Sequence, residues 1–175
     1  MSSISNTIKS QIAGIICNIY KIKIDSNDNS EEISKKLSVL ASKKIVSEVK
    51  NILNGKAKFI EQNHTQETYA KKIDKLEGLI NWNESAKKII GRINGLYPFP
   101  GAFFNFNGER YKILKAEIGN GAGPFGKVLN DKLEIACSNN ESIKVIEIQK
   151  EGKKIQEINE FLNGSKIGKG CILNE

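Results

Sequence analysis

The chain has 175 residues, 39% of them hydrophobic, with a formal net charge of +7. That length buries a real core in one domain or two small ones, and no run approaches the roughly 20 apolar residues of a membrane-crossing helix. A sequence pI of about 9.2 favours polyanionic partners, although the basic excess is spread over both halves and equally suits a lysine-rich solvated surface.

The opening, MSSISNTIKSQIAGIIC, has neither an early basic cluster nor a long apolar stretch, so no secretory leader is expected. Residues 15–24, IICNIYKIKI, alternate from Ile19 onward and are rich in isoleucine, which predicts a strand. DSNDN breaks the run. Asp28, with Glu31 three residues on, makes a capping-box pattern. Apolar positions 33, 37, 40, 41, 45, 49, 52 and 53 then form one stripe of a long amphipathic helix that Gly55 ends. A strand followed by a helix whose stripe needs a sheet to cover reads as the tail of an α/β layer. Residues 56–82 are polar and lack a period, as a connector does, and Phe59, Ile60, Tyr69, Ile73 and Trp82 are expected to pin it to a surface.

A second unit opens at NWNESAKKIIGRINGL. Asn83 or Ser85 supplies the cap, and Ala86, Ile89, Ile90, Ile93 and Leu96 share one helical face. Pro98 and Pro100 forbid further helix and push Tyr97 and Phe99 toward extended geometry, and Gly101 frees the backbone for a turn. Asn107-Gly108 between aromatic and β-branched runs is a strong hairpin signal. Short strands follow at 126–130, 132–138 and 142–149, and KIQEINEFLNG reads as a short amphipathic helix. This pattern suits a small closed barrel of the OB type with short helices, although periodicity alone leaves a sandwich open. The fold class expected is therefore α+β.

Three cysteines and a single histidine form no metal-ligand pattern, so no metal, and reduced thiols in a cytoplasmic protein, are expected. His64 lies in a polar connector and reads as a surface residue. GNGAGPFG (119–126) lacks the Lys-Ser/Thr ending of a phosphate loop and reads as a flexible barrel loop. No catalytic constellation emerges. Basic residues interleaved with aromatics carry more meaning: Arg110 and Lys112 point to one face of a strand, with Lys115 beyond. Solvated, that face is a track for phosphates, with Phe104, Phe106 or Tyr111 as stacking platforms, although phenylalanine is more often interior.

The stretch from Glu67 to Glu117 resembles methionyl-tRNA formyltransferase across its linker and the start of its C-terminal domain. The resemblance rests on Thr68-Tyr69-Ala70, Lys72-Ile73, Ile80-Asn81-Trp82 and Tyr97-Pro98-Phe99-Pro100-Gly101-Ala102, where the family has Asn-Pro-Trp-Pro-Gly-Ala. Residues 145–164 are similar to its Leu-x-Pro-x-Gly-Lys-Lys stretch and following helix, with Lys150 in place of the proline. The resemblance implies a remnant of a Rossmann-like catalytic domain at 1–55, a linker at 56–82 and an OB-like domain at 83–175.

It also implies absences. The family transfers formyl from 10-formyltetrahydrofolate with an Asn, a His in His-Pro-Ser-Leu-Leu-Pro and an Asp in Asp-x-Gly-Asp. No Asn-x-His-Pro segment exists here, and the Asp-x-Gly-Asp turn aligns with Ile12-Ala13-Gly14-Ile15. No catalytic residue and no bound cofactor is therefore expected. What the resemblance retains is a grip on initiator tRNA, through Lys71, Lys72, Arg110, Lys112, Lys115, Lys153 and Lys154. The leading expectation is a truncated formyltransferase, inactive alone, with a separate N-terminal half as a further partner. A stand-alone basic OB-like RNA-binding module is the alternative. A formyltransferase-fold enzyme acting on another amine, such as a sugar nucleotide, ranks last because its reacting residues are missing.

Overall fold

The structure, a computed structural model, describes residues 15–63, 65 and 68–173. His64 and residues 12–14 of the expected Asp-x-Gly-Asp alignment lie outside the described residues. The chain falls into two units: one runs up to Ile24 and continues over Ser34–Lys72, and the other joins Asp25–Ile33 to the chain from Ile73 onward.

Helix α1 (Ser30–Leu53) supplies the regular structure of the first unit from Ser34 onward. Its capping box forms one residue later than expected. The Glu32 N–H donates to Asn29 Oδ1 at 3.0 Å, and the Asn29 N–H donates to Glu32 Oε2 at 2.8 Å. Asp28 instead accepts from the Asp25 N–H, at 2.8 Å. At the other end Gly55 has φ +65°, and the Gly55 and Lys56 N–H groups donate to Ile52 and Asn51. Those are the paired bonds of a Schellman ending. No residue of α1 is buried, and Leu37, Ile45, Val49 and Ile52 of its apolar stripe stand exposed.

The strand expected at 15–24 does not form. Its backbone makes one antiparallel bridge, Ile16 with Ile60. No ladder runs beside it among the described residues, and extended backbone without a neighbour cannot pair its N–H and C=O groups. Side chains tether it instead: Asn18 and Tyr20 donate to the Glu48 carboxylate at 2.7 and 2.6 Å.

The second unit holds an antiparallel sheet of β1 (Ala102–Phe106), β2 (Glu109–Ile118), β3 (Glu134–Ala136), β4 (Ser142–Lys150) and β5 (Gln156–Glu157). The order is β1-β2-β4-β3, with β5 also on β4. β2 occupies one edge of β4, so β3 and β5 lie end to end along the other. The sheet does not close into the expected barrel. Its terminal strands take single bridges instead, Leu79 with Phe103 on β1 and Val128 with Ile135 on β3. Closure needs every strand paired on both sides, and these strands are too short. The strand expected at 126–130 reduces to such bridges, and that at 132–138 shrinks to β3 because Leu133 has φ +54°. The expected C-terminal helix likewise shrinks to α3 (Ile158–Leu162), preceded by β5.

Helix α2 (Ala86–Leu96) lays Ala86, Ile89 and Ile93 over the sheet, where Phe104, Ile113, Ile143 and Ile148 are also buried. Each of these isoleucine and phenylalanine side chains contributes roughly 1.5–3 kcal/mol by leaving water. Trp82, Phe104, Tyr111 and Phe161 form a ring-to-ring chain with centroids 6.0, 5.4 and 5.8 Å apart. Ser85 occupies the N-cap without a side-chain bond, and Glu141 Oε2 accepts from the Ala86 N–H at 2.7 Å instead. Of the connector's apolar residues Ile80 and Trp82 are pinned in the core; Phe59, Ile60, Tyr69 and Ile73 are exposed.

The glycine-rich loop is fastened, not flexible. Glu134 Oε1 accepts from the Asn120 N–H (2.8 Å), the Gly121 N–H (2.7 Å) and Ser142 Oγ (2.7 Å), and Oε2 accepts from Asn130 Nδ2 (2.7 Å).

Candidate nucleic-acid interface

β1 and β2 meet at Asn107-Gly108, with φ +51° and +74°. Both lie in the left-handed region that a two-residue type I′ turn demands. The turn sets the register, with Phe103 opposite Lys112 and Asn105 opposite Arg110. Directly opposed side chains share a face. Tyr111 and Ile113 therefore turn to the core, and Arg110 and Lys112 turn away from it. Simple alternation would then send Lys115 to the core side. The register shifts between Ile113 and Lys115 and between Lys115 and Ala116, which leaves Lys115 exposed and returns Ala116 to the core, opposite Val145.

The Arg110 guanidinium lies over the Phe103 ring, 4.2 Å from its centroid, and Lys112 Nζ stands 5.5 Å from the Phe99 centroid. A cation over an aromatic face is held electrostatically while its charge stays available to water. Gly101 makes the second contact feasible. It has φ +83°, and a Cβ there would stand 2.9 Å from Lys112 Cδ, so the lysine stem lies across the bare glycine.

The β4–β5 turn joins this end of the sheet. Gln149 stands opposite Lys112 and donates from its amide to the Lys153 carbonyl at 2.8 Å, and the Glu151 N–H donates to the Arg110 carbonyl at 3.0 Å. The turn carries Lys153 and Lys154 exposed to solvent. Arg110 reaches Glu151 at only 4.0 Å, a weak tie for a solvated pair. Lys115 is less useful to an anion: it opposes Glu147, which opposes Glu157 on β5. Lys71 and Lys72 belong to the first unit, on an exposed stretch without regular structure.

The aromatic platforms expected from the sequence are interior. Phe104 is fully buried, Tyr111 is 6% exposed, and Phe106 packs against the core cluster. Being directly opposed to Tyr111 sends Phe104 inward with it. The outward ring is Phe99, 73% exposed.

Sequence reasoning also missed Lys150 and Lys166, although Lys150 departs from the proline of the similar family. Both line a cavity of ≈ 360 Å³ walled by Phe106, Tyr111 and Phe161. Lys150 also lines a neighbouring cavity of ≈ 450 Å³ with Lys153 and Lys154. Lys150 Nζ reaches Glu109 Oε1 at 2.7 Å, and Tyr111 donates its hydroxyl to Glu109 Oε2 at 2.6 Å. The Lys150 ammonium and then that hydroxyl hold the Glu109 carboxyl below its ordinary range. Burial, then Glu109, pushes the Tyr111 hydroxyl up to about 12.

Among the described residues no group of three or more His, Cys, Asp or Glu side chains is placed to hold a metal ion. Burial pushes the Cys137 thiol up to about 12, so it is no nucleophile at neutral pH. No helix among the described residues is long and apolar enough to cross a membrane.

Comparison with known proteins agrees with this architecture. Residues 72–166 match the family of formyl transferase C-terminal domains. A methionyl-tRNA formyltransferase of Pelagibacter ubique (strain HTCC1062) is 60% identical over 157 residues, covering 90% of this chain and 51% of that protein. One from Rickettsia massiliae (strain Mtu5) is 40% identical over 155 residues, covering 86% and 49%. The chain thus spans about half the length of these relatives. Among solved structures, HypX from Aquifex aeolicus matches with a TM-score of 0.66 at 13% identity, over 87% of this chain and 29% of its own. The sugar 3N-formyl transferase WlaRD matches with a TM-score of 0.59 at 20% identity, over 82% and 52%. At such identities the likeness is one of fold.

Proposed function

Since the chain belongs to the formyl transferases through their C-terminal domain, we propose that it is the tRNA-gripping part of a methionyl-tRNA formyltransferase, without a formyl-transfer centre of its own. The observation that carries this is the outward row of Arg110 and Lys112, continued by the turn of Lys153 and Lys154 fastened beside it. Such a row suits a phosphate backbone, which gives affinity without reading sequence. Initiator tRNA is the partner this reading assigns, in the cytoplasm, with Lys71 and Lys72 as further phosphate contacts. We assign residues 1–55 to a remnant of a Rossmann-like domain, 56–82 to a linker and 83–175 to a domain of OB-like ancestry whose sheet has stayed open.

The cavities among the described residues do not suit the formyl donor 10-formyltetrahydrofolate. The cavities beside Phe161 present lysines and the Glu109–Lys150 pair, not a positioned acid and base next to an oxyanion site. The exposed stripe of α1, Leu37, Ile45, Val49 and Ile52, favours a chain that packs against a formyltransferase N-terminal half over a stand-alone RNA module.

Fluorescence anisotropy of labelled initiator tRNA tests the reading. Binding is expected to be measurable at low salt and to weaken steeply as salt rises, with no formylation of charged tRNA by the chain alone. Absence of binding at low salt, or unaided formyl transfer, overturns it.

A further inference from the structure

The prolines around Phe99 leave a large ring in water with a cation over one face. We propose that Phe99 is a stacking platform for one unpaired base of a bound RNA, with Lys112 and Arg110 taking the flanking phosphates; this rests on the tRNA-gripping reading above. Phe99 is 73% exposed and lies outside the core cluster, so packing does not explain an aromatic residue there. Lys112 Nζ stands 5.5 Å from its centroid, and the Lys112 stem is laid down across Gly101. Arg110 sits two residues along the same face, over Phe103.

The arrangement matches what single-stranded nucleic acid requires: a π-face for a base beside charges that follow the backbone. Pro98 and Pro100 fix φ on either side of Phe99, so little backbone freedom remains to be lost when a base stacks. An apolar protein face suits the ring less well. Covering Phe99 with it would also strip water from the Lys112 ammonium and supply no anion in return, whereas a nucleotide brings its phosphate with its base.

The substitution F99W turns the ring into its own reporter, because the chain's single tryptophan, Trp82, is only 3% exposed. At low salt, an eight-nucleotide single-stranded oligoadenylate is expected to quench the introduced indole. A fully paired RNA duplex of the same strand length and inorganic polyphosphate are expected to leave its emission unchanged. In the same series F99A loses about tenfold in affinity for the oligoadenylate and little for the duplex. Anisotropy of labelled RNA, read in parallel, separates the two levels of the argument. Binding without quenching, or equal quenching by polyphosphate, overturns the stacking platform and leaves the RNA reading standing. No binding of any RNA removes both. An introduced indole that is already blue-shifted and shielded from acrylamide in the protein alone means that protein covers the ring, which also overturns the proposal.

Discussion

Glutamine at position 134 removes one charge from the second unit while keeping the side chain's shape. The Glu134 carboxylate is 6% exposed and accepts four hydrogen bonds of 2.7–2.8 Å, from Asn120, Gly121, Ser142 and Asn130. Two of these donors are backbone N–H groups of the glycine-rich loop. In E134Q the remaining carbonyl oxygen serves three of the donors without charge assistance, and its NH₂ meets the Asn130 amide donor. Asn130 cannot turn over freely, since its Oδ1 already accepts from the Lys132 and Glu134 N–H groups at 3.0 and 3.3 Å. Losing charge assistance over these bonds, with one donor left facing a donor, costs about 2–4 kcal/mol. Burial alone would push the Glu134 carboxyl up, but the hydrogen bonds from Ser142, Gly121, Asn120 and Asn130 together hold it below its ordinary value of 4.5. A depressed folded-state pKa contributes stability that is present above the unfolded value and lost as pH falls through the folded one. The gap between the native protein and E134Q should therefore be full at pH 7 and close on acidification below about pH 4.5. Urea unfolding followed by Trp82 emission measures it, since Trp82 is the single tryptophan and lies in the second unit. A difference under about 0.5 kcal/mol at pH 7, or one that widens in acid, would refute the reasoning.

Gly101→Ala forces a side chain onto φ +83° and against Lys112 Cδ at 2.9 Å. It should cost about 1–3 kcal/mol in urea and weaken RNA binding by moving the lysine stem. Arg110→Ala combined with Lys112→Ala should lower the salt slope of tRNA binding by about 2, whereas Lys115→Ala should change it little because Glu147 opposes that lysine. Phe104→Ala, which empties the fully buried centre of the aromatic chain, should cost about 3–5 kcal/mol by urea unfolding. A thiol titration at pH 8 should find Cys17 and Cys171 reactive in the folded protein. Cys137, buried and with its thiol pushed up to about 12, should react only after unfolding.

Most of what was legible in the sequence is local. The hairpin at Asn107-Gly108, the Gly55 ending of α1, the apolar face of α2 and the span of β4 follow from dihedral preference and side-chain period over a few residues. The Arg110–Lys112 pair belongs to this class, because a strand's alternation puts both on one face whatever lies beneath. Lys115 does not: a register shift in pairing with β4 keeps it outside, and Glu147 across the ladder weakens it.

Partners distant in sequence escaped the reading. Glu134 organising the glycine-rich loop, Glu141 capping α2 from 55 residues away, and Phe99 outward while Phe104 is interior all depend on which segments meet in space. The isoleucine-rich run at 15–24 has strand chemistry but no ladder beside it, and the short β3 and β5 leave the sheet open. Residue order by itself determined the Asn107-Gly108 turn, the Gly55 ending of α1 and the spacing of the basic side chains, since each is a matter of neighbouring torsions. Tertiary structure alone decided which of those side chains reach water together, because a face becomes a surface only when something else has covered its opposite side.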